Sequence, residues 1–415
     1  MDSLTHLVAG ALTPLAFRGT PKRAAVIGFG IAVGELPDID ILFGVSAEAL
    51  LALHRGITHS LIWQPVLVLI AVLPFYIWLH CRGAGLIPIR EAPTAARAAC
   101  MPGSDLEPGP DGLGAFGFGR MYCVALFAVF THIYLDCMTT FGTQALLPFS
   151  GLRVGFAAMF IVDLLMTLPI LALLTAALRQ PPDIVPPVSP RRRGSEPAAP
   201  GLGYAFVSGK SRRLARIGLA WVLLYPLLSL SVNHIAAAVL GPSLTEPPLS
   251  AQTGDGNPPP RFAPDRLVLM TEPFSPFVWK AIVDQGDSWR TGTLRLLSPG
   301  DTRLDREYAK PEPLLYETLK KQHPIFAMFE DFAPLMTQRE RPAEPLVQKD
   351  YMSPVTEYSF LDLRYVIAPD SPARLVGRND PNFVLEARVN EGGALLAYRF
   401  LQRGKDKDTP WTVLE

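Results

Sequence analysis

The sequence has little charge and few cysteines. Charged residues make up 18% of its 415 positions, and 38 basic residues balance 38 acidic ones, so no general attraction to nucleic acid is expected. The four cysteines (Cys81, Cys100, Cys123 and Cys137) include no CxxC pair, which argues against a disulfide framework or a zinc ribbon. Asp2 stands where a secretory signal peptide needs a positive charge, so we expect no cleaved signal peptide.

Apolar stretches, by contrast, dominate the sequence before residue 240. About 20 consecutive apolar residues are enough to cross a bilayer as a helix. We predict four long spans, at Leu61–His80, Met121–Cys137, Gly155–Leu178 and Ile217–Leu240. Two shorter stretches, Leu4–Phe17 and Ala24–Leu36, predict a partly inserted helical hairpin, with a hairpin in a soluble-type core as the alternative. The predicted fold class is an all-α polytopic membrane helix bundle, with about four long spans and a short N-terminal helical hairpin.

The rest of the chain has a different character. The sequence GDGNPPP indicates a linker, and short runs such as FVWKAIV and NFVLEARV alternate apolar with polar residues, as half-buried antiparallel strands do. We therefore predict a small extracytoplasmic α+β or mostly β domain, without a catalytic constellation. The predicted division is a helical metal-site membrane domain (1–178), a basic cytoplasmic linker (179–213), the last transmembrane helix (214–240), a Pro/Gly-rich linker (241–265) and the α+β domain (266–415).

The distribution of arginine predicts the orientation in the membrane. The linker 179–213 is rich in arginine and should be cytoplasmic, whereas the loop 139–155 carries only Arg153 and should face out. Residues 38–60 and the chain after residue 240 then face out as well. We expect a multi-pass protein of a bacterial-type inner (cytoplasmic) membrane.

Histidines and aspartates interrupt the apolar segments at two places. PDID and HRGITHS, between residues 37 and 60, contain Asp38, Asp40, His54 and His59, and THIYLD contains His132 and Asp136. The last two are four residues apart, so a helix presents them on one face. Ionisable groups are costly in apolar surroundings unless they are paired or bind a metal, and these residue types ligate zinc and similar ions. The sequence therefore predicts a metal site. The alternative is a buried His–Asp hydrogen bond that only stabilises the bundle.

The motifs DxxTH, PDID, HRGITHS, HxxxD followed by TTFGTQALLPFS, and IVDLLMTLP resemble the membrane-bound metal-dependent hydrolases of the YdjM/DUF457 type over about residues 1–170. That family is distantly similar to the zinc-dependent phospholipase C and S1/P1 nuclease group, which cleaves phosphate esters. The resemblance implies metal ligands at His6, Asp38, His59, His132 and Asp136, with Asp40, His54 and Asp163 as further or supporting ligands. The second His-rich helix of the soluble group is missing here, so one or two ions are expected.

These observations predict a membrane-bound metal-dependent hydrolase. A divalent metal, with zinc the expected ion, would acidify a bound water, and Asp40 or Asp163 would accept its proton. Arg55 would orient an anionic group of the substrate. The location favours a phosphate ester of a lipid or lipid-linked substrate, with the bilayer as the partner and no nucleic acid. Two alternatives stay open, a membrane-anchored scaffold with a structural His/Asp cluster and a membrane protein that handles ions or protons.

Overall fold

The structure is a computed structural model. It describes residues 2–20, 24–43, 47–81, 117–185, 204–245, 267–273, 277–298, 304–348, 351–367, 371, 374, 381–403 and 409–414. Residues 186–203 and 246–265, which fall in the two predicted linkers, lie outside the described residues. The chain divides into two compact units. We call Met1–Ile41, Arg55–Phe156 and Ile161–Leu227 the helical unit, and Leu42–His54, Ala157–Phe160 and Leu228–Glu415 the sheet unit.

The helices before residue 240 are mostly apolar. They are α1 (Ser3–Ala16), α2 (Ala24–Gly34), α3 (Ala47–Leu53), α4 (Gln64–Cys81), α5 (Phe118–Cys137), α6 (Leu164–Leu178) and α7 (Gly209–Thr245). Two 3-10 helices, Pro37–Phe43 and Ile57–His59, carry the PDID and ITH motifs. A short antiparallel pair of strands, β1 (Asp183–Val185) and β2 (Tyr204–Phe206), precedes α7.

Glycines bring α1 and α2 into backbone contact. A Cβ atom added to Gly10 would lie 2.6 Å from the carbonyl oxygen of Gly30, and one added to Gly34 would lie 3.1 Å from Cα of Gly10. Only residues without a side chain let two helix backbones approach this closely. The predicted N-terminal helical hairpin is thus present, and its contact sets His6, one turn before Gly10, beside the carboxyl end of α2.

The prediction of four long spans is wrong. Among the described residues, two helices are long and apolar enough to cross a membrane, Phe118–Cys137 and the Gly209–Pro242 part of α7. A bent pair of segments, Ala49–His59 and Gln64–Trp78, adds a third if it acts as one span. The predicted span at Leu61–His80 corresponds to α4, which begins at Gln64 and counts as a span only together with the bent segment before it.

The predicted span at Gly155–Leu178 is too long because its helix starts late. Helix α6 has 15 residues, and Asp163 is its N-cap. Its Oδ1 atom accepts the amide hydrogens of Leu165 at 2.9 Å and Met166 at 3.2 Å. An N-cap residue has non-helical backbone angles, so the chain before Asp163 does not continue the helix. Asp163 therefore lies at a helix end and not within a span.

The sheet unit contains two antiparallel sheets, as predicted for a domain with strands of alternating character. The first has the order β3 (Leu267–Thr271), β4 (Val278–Asp284), β5 (Ser288–Arg295) and β6 (Arg306–Ala309). The second has the order β11 (Thr412–Val413), β10 (Leu395–Arg403), β9 (Asn382–Asn390), β8 (Tyr351–Asp362) and β7 (Met336–Gln348). Helices α8 (Pro313–Gln322) and α9 (Pro324–Phe332) connect the sheets in sequence, and α9 buries Phe326, Phe329 and Phe332.

Helix α7 is longer than a bilayer requires. Its 37 residues extend roughly 55 Å, whereas the hydrocarbon layer is about 30 Å thick. The last part of the helix belongs to the sheet unit, where Ala236 packs with Leu269 and Trp279. Asn233 donates a hydrogen bond of 3.0 Å from Nδ2 to the carbonyl oxygen of Leu269. This polar group near the end of the predicted span therefore has a structural partner in β3.

Candidate metal centre

Four of the predicted ligands converge at one point of the helical unit. Asp38, His59, His132 and Asp136 each offer a ligand atom, and these atoms all lie within 4.8 Å of one another. The side chains of His59 and Asp136 are fully buried and that of His132 is 1% exposed, whereas that of Asp38 is 15% exposed. This group could hold a metal ion.

The distances within the cluster fit the edges of a coordination sphere. Nε2 of His59 lies 3.3 Å from Oδ1 of Asp38 and 3.2 Å from Oδ2 of Asp136. Nε2 of His132 lies 3.5 Å from the same two oxygens. Two ligand atoms at about 2.0–2.2 Å from a tetrahedral metal are themselves roughly 3.3–3.6 Å apart. Three of these four distances lie within that range and the fourth is slightly shorter, so the spacing is compatible with one shared cation.

Three short elements bring the ligands together. His132 and Asp136 lie four residues apart on α5, so one face of the helix presents both. Asp38 is in the 3-10 helix that follows α2, and His59 ends the 3-10 helix that precedes α4. The glycine contact between α1 and α2 holds Gly34, the last residue of α2, against α1, four residues before Asp38.

Hydrogen bonds orient both histidines towards the cluster. Nδ1 of His132 lies 2.7 Å from the carbonyl oxygen of Gly34, which can only accept, so Nδ1 carries the proton. Nε2 of His132 then has a lone pair and no hydrogen-bond partner among the described residues. Nδ1 of His59 lies 3.2 Å from Oγ1 of Thr58 and 3.4 Å from Oδ2 of Asp40. Such partners fix the ring and the tautomer of metal-binding histidines.

Arg55 is an integral part of this cluster. Its Nη2 atom lies 2.9 Å from Oδ1 of Asp136, and Nη1 donates a hydrogen bond of 3.0 Å to Oγ1 of Thr139. Its backbone N–H donates to Oδ2 of Asp40 at 2.8 Å. Arg55 has a φ of 56°, a strained value for a residue with a side chain. The structure therefore places Arg55 as a buried partner of two acids. Its predicted contact with the substrate is not tested.

His6 lies directly beside the four clustered residues. Its Nε2 atom donates to Oδ1 of Asp136 at 3.2 Å, and its ring stacks on that of His132 with 3.6 Å between centroids. In this arrangement His6 supports Asp136 through a hydrogen bond. Its role as a metal ligand, which the family resemblance implies, stays a prediction.

Two further predicted site residues are not among the four clustered residues. Asp163 caps α6, and its Oδ2 atom accepts a hydrogen bond of 2.9 Å from the hydroxyl group of Tyr225. His54 follows α3 and belongs to the sheet unit. Asp40 supports His59 and Arg55, as described above. The catalytic roles predicted for Asp40 and Asp163 stay predictions.

Glu35 is a polar neighbour of the cluster that the sequence analysis missed. It follows the end of α2, and its Oε1 atom is buried without a hydrogen-bond partner among the described residues. Burial raises the pKa of Glu35 to about 7, and the negative charge of Asp38 adds to the rise. A carboxyl group that titrates near neutral pH can transfer protons. The signal in the sequence was an acid at the end of an apolar run, three residues before Asp38.

An apolar helical unit that buries histidines and aspartates around one point defines a membrane protein with a candidate metal-binding site. The family model described as YdjM inner membrane protein matches residues 1–237, more than half of the chain. The chain therefore belongs to the YdjM inner membrane protein family, and the predicted resemblance to that family is confirmed. The family's description and the apolar helices agree on an inner-membrane location. No curated protein and no solved structure matches the chain.

Proposed function

We propose that this protein is a membrane-bound metal-dependent hydrolase with Asp38, His59, His132 and Asp136 as its metal ligands. The observation that carries the proposal is the convergence of these four ligand atoms within 4.8 Å. The orientation of both histidines by Gly34 and by Thr58 with Asp40 supports it, since neutral imidazoles with an inward Nε2 atom are suited to ligation.

The donor set is two imidazole nitrogens and two carboxylate oxygens, which suits zinc and does not exclude other divalent ions. Two carboxylates balance the charge of a divalent cation, while Arg55 neutralises part of Asp136. When bound, such an ion lowers the pKa of a coordinated water enough to supply hydroxide near neutral pH. Asp38 is the ligand with the most exposed side chain, so water and substrate would enter beside it.

The chain's own residues supply the remaining roles of a hydrolase. Glu35, whose Oε1 atom is buried next to the cluster, joins the predicted acceptors Asp40 and Asp163 as a candidate for accepting and returning a proton. Arg55, His6 and Asp40 hold ligands in position. The membrane location favours a phosphate ester of a lipid or a lipid-linked molecule. The arginine-rich linker supports a multi-pass topology with an extracytoplasmic sheet unit.

Elemental analysis and phosphodiesterase assays of the purified full-length protein test the proposal. We expect bound divalent metal in the wild type, and loss of metal and activity in Asp38→Ala and His132→Ala. His323→Ala is the matched control, because His323 caps α9 in the sheet unit and should leave both unchanged. Metal-free wild-type protein, or ligand variants that keep both metal and activity, would contradict the proposal.

One observation favours the structural alternative. The ion pair between Arg55 and Asp136, together with the hydrogen bond from His6, gives Asp136 polar partners without any metal. A scaffold protein could keep such a cluster only to stabilise its helices. In that case the elemental analysis finds no metal, and the ligand variants lose stability alone.

A further inference from the structure

Large apolar side chains are exposed on two chain segments that adjoin the candidate metal centre. They occur in the segment that contains His59 and in the loop that follows α5. We call six of them the apolar collar: Ile57, Leu61, Trp63, Leu146, Phe149 and Leu152. Phe149 is 84% exposed and Leu152 is 64% exposed. Several large apolar side chains exposed on neighbouring segments indicate a site of interaction, because water is a poor solvent for them.

Backbone hydrogen bonds join the two segments into one surface. The N–H group of Leu61 donates to the carbonyl oxygen of Ala145 at 3.0 Å, and that of Gln144 donates to Arg55 at 2.9 Å. Oγ of Ser60 donates to the carbonyl oxygen of Leu147. Since Arg55 also contacts Asp136, the apolar collar is attached directly to the candidate metal centre.

The surroundings of the apolar collar indicate a lipid partner. In the sequence, His59 and Arg153 are the only ionisable residues within 56–63 and 139–156, so the surface offers a protein partner little charge to recognise. Trp63 directly precedes α4, and the loop begins directly after α5, a helix long and apolar enough to cross a membrane. Segments this close to the end of a span lie near the bilayer surface, where exposed tryptophan and aliphatic residues insert.

We propose that the apolar collar inserts into the lipid bilayer and that the metal centre therefore opens at the membrane interface. Asp38, the most exposed of the four clustered residues, lies in the same 3-10 helix as Ile39 and Ile41, which are 42% and 56% exposed. The partner is the acyl-chain region of phospholipids. The insertion of the apolar collar does not depend on metal binding or on hydrolysis.

Photocrosslinking of the full-length protein in phospholipid vesicles tests the insertion. A benzophenone amino acid replaces Phe149 or Leu152 singly, and mass spectrometry identifies what it captures. The positive control is Leu224, which is 62% exposed on α7 within a membrane-spanning candidate. The negative control is Leu314, which is 79% exposed at the start of α8 in the sheet unit.

We expect phospholipid adducts at positions 149 and 152 in a yield that matches Leu224 and exceeds that at Leu314. A yield no higher than at Leu314, while Leu224 captures lipid, would overturn the proposal. Adducts of 149 and 152 with a second copy of the chain would also overturn it, because another protein would then cover the apolar collar. Metal content, measured on the same samples, reports separately on the proposed function.

Discussion

Replacement of Arg55 by methionine tests how the charges of the candidate metal centre are balanced. The change removes a guanidinium group whose Nη2 atom lies 2.9 Å from Asp136, a carboxylate that is fully buried. Removing one partner of a buried ion pair costs about 3–5 kcal/mol, because the other charge stays uncompensated. A loss of 1 kcal/mol lowers the Tm of a unit of this size by roughly 2–4 °C, so metal-free Arg55→Met should lose about 6–20 °C.

A cation shared by the four ligands would compensate the same carboxylate. The loss in Tm should therefore be smaller in the presence of saturating zinc than after chelation. Thermal unfolding of the purified full-length protein in detergent measures both values. Arg341→Met is the matched control, because the side chain of Arg341 is 59% exposed and its partner Glu357 keeps Arg388 as a second ion-pair partner, so we expect little loss in Tm. An equal loss with and without zinc would refute the shared cation, and no loss in either condition would refute the buried ion pair.

Three further predictions concern other parts of the chain. Gly30→Ala places a Cβ atom 2.5 Å from the carbonyl oxygen of Gly10, so α1 and α2 must separate; we expect lower metal content and Tm, measured together on purified protein. Asp163→Ala removes the N-cap of α6 and should cost about 1 kcal/mol without loss of metal, which thermal unfolding and elemental analysis can check. Burial lowers the pKa of Lys280 from 10.5 to about 8, so the unfolded state binds the proton more tightly. The free energy of unfolding should therefore rise with pH across that interval, and denaturant titrations should show that Lys280→Met removes the rise.

The convergence of the four clustered residues was predictable because burial makes each of them costly alone. His132 and Asp136 share a helix face by their spacing, whereas Asp38 follows the apolar helix α2 and His59 precedes the apolar helix α4. Neither the cost of burial nor the position along the helices indicates which nitrogen of each histidine faces the cluster. That orientation depends on the carbonyl of Gly34 and on Thr58 and Asp40, which are tertiary contacts.

The number of spans was less predictable than the site. Apolar composition from Gly155 onward does not reveal that the carboxylate of Asp163 ends the irregular segment and starts a short helix. Composition also cannot separate a membrane span from the part of α7 that packs on a sheet, because Ala236 and its neighbours are apolar in both settings. The strands of the sheet unit were easier to predict from the sequence, since the alternation of apolar and polar residues reflects the two faces of a strand.

Gly34 links the packing of α1 against α2 to the candidate metal centre. A side chain at position 34 would approach Cα of Gly10. The carbonyl oxygen of Gly34 accepts the Nδ1–H of His132. Gly34 thus allows the two helices to approach each other and also determines which nitrogen of His132 carries the proton. Loosening of the hairpin, for example by a harsh detergent, would break the hydrogen bond from His132 to Gly34. The binding of any ion would then weaken before the helices unfold. Affinity for the ion would then serve as an early gauge of whether the first two helices are still docked.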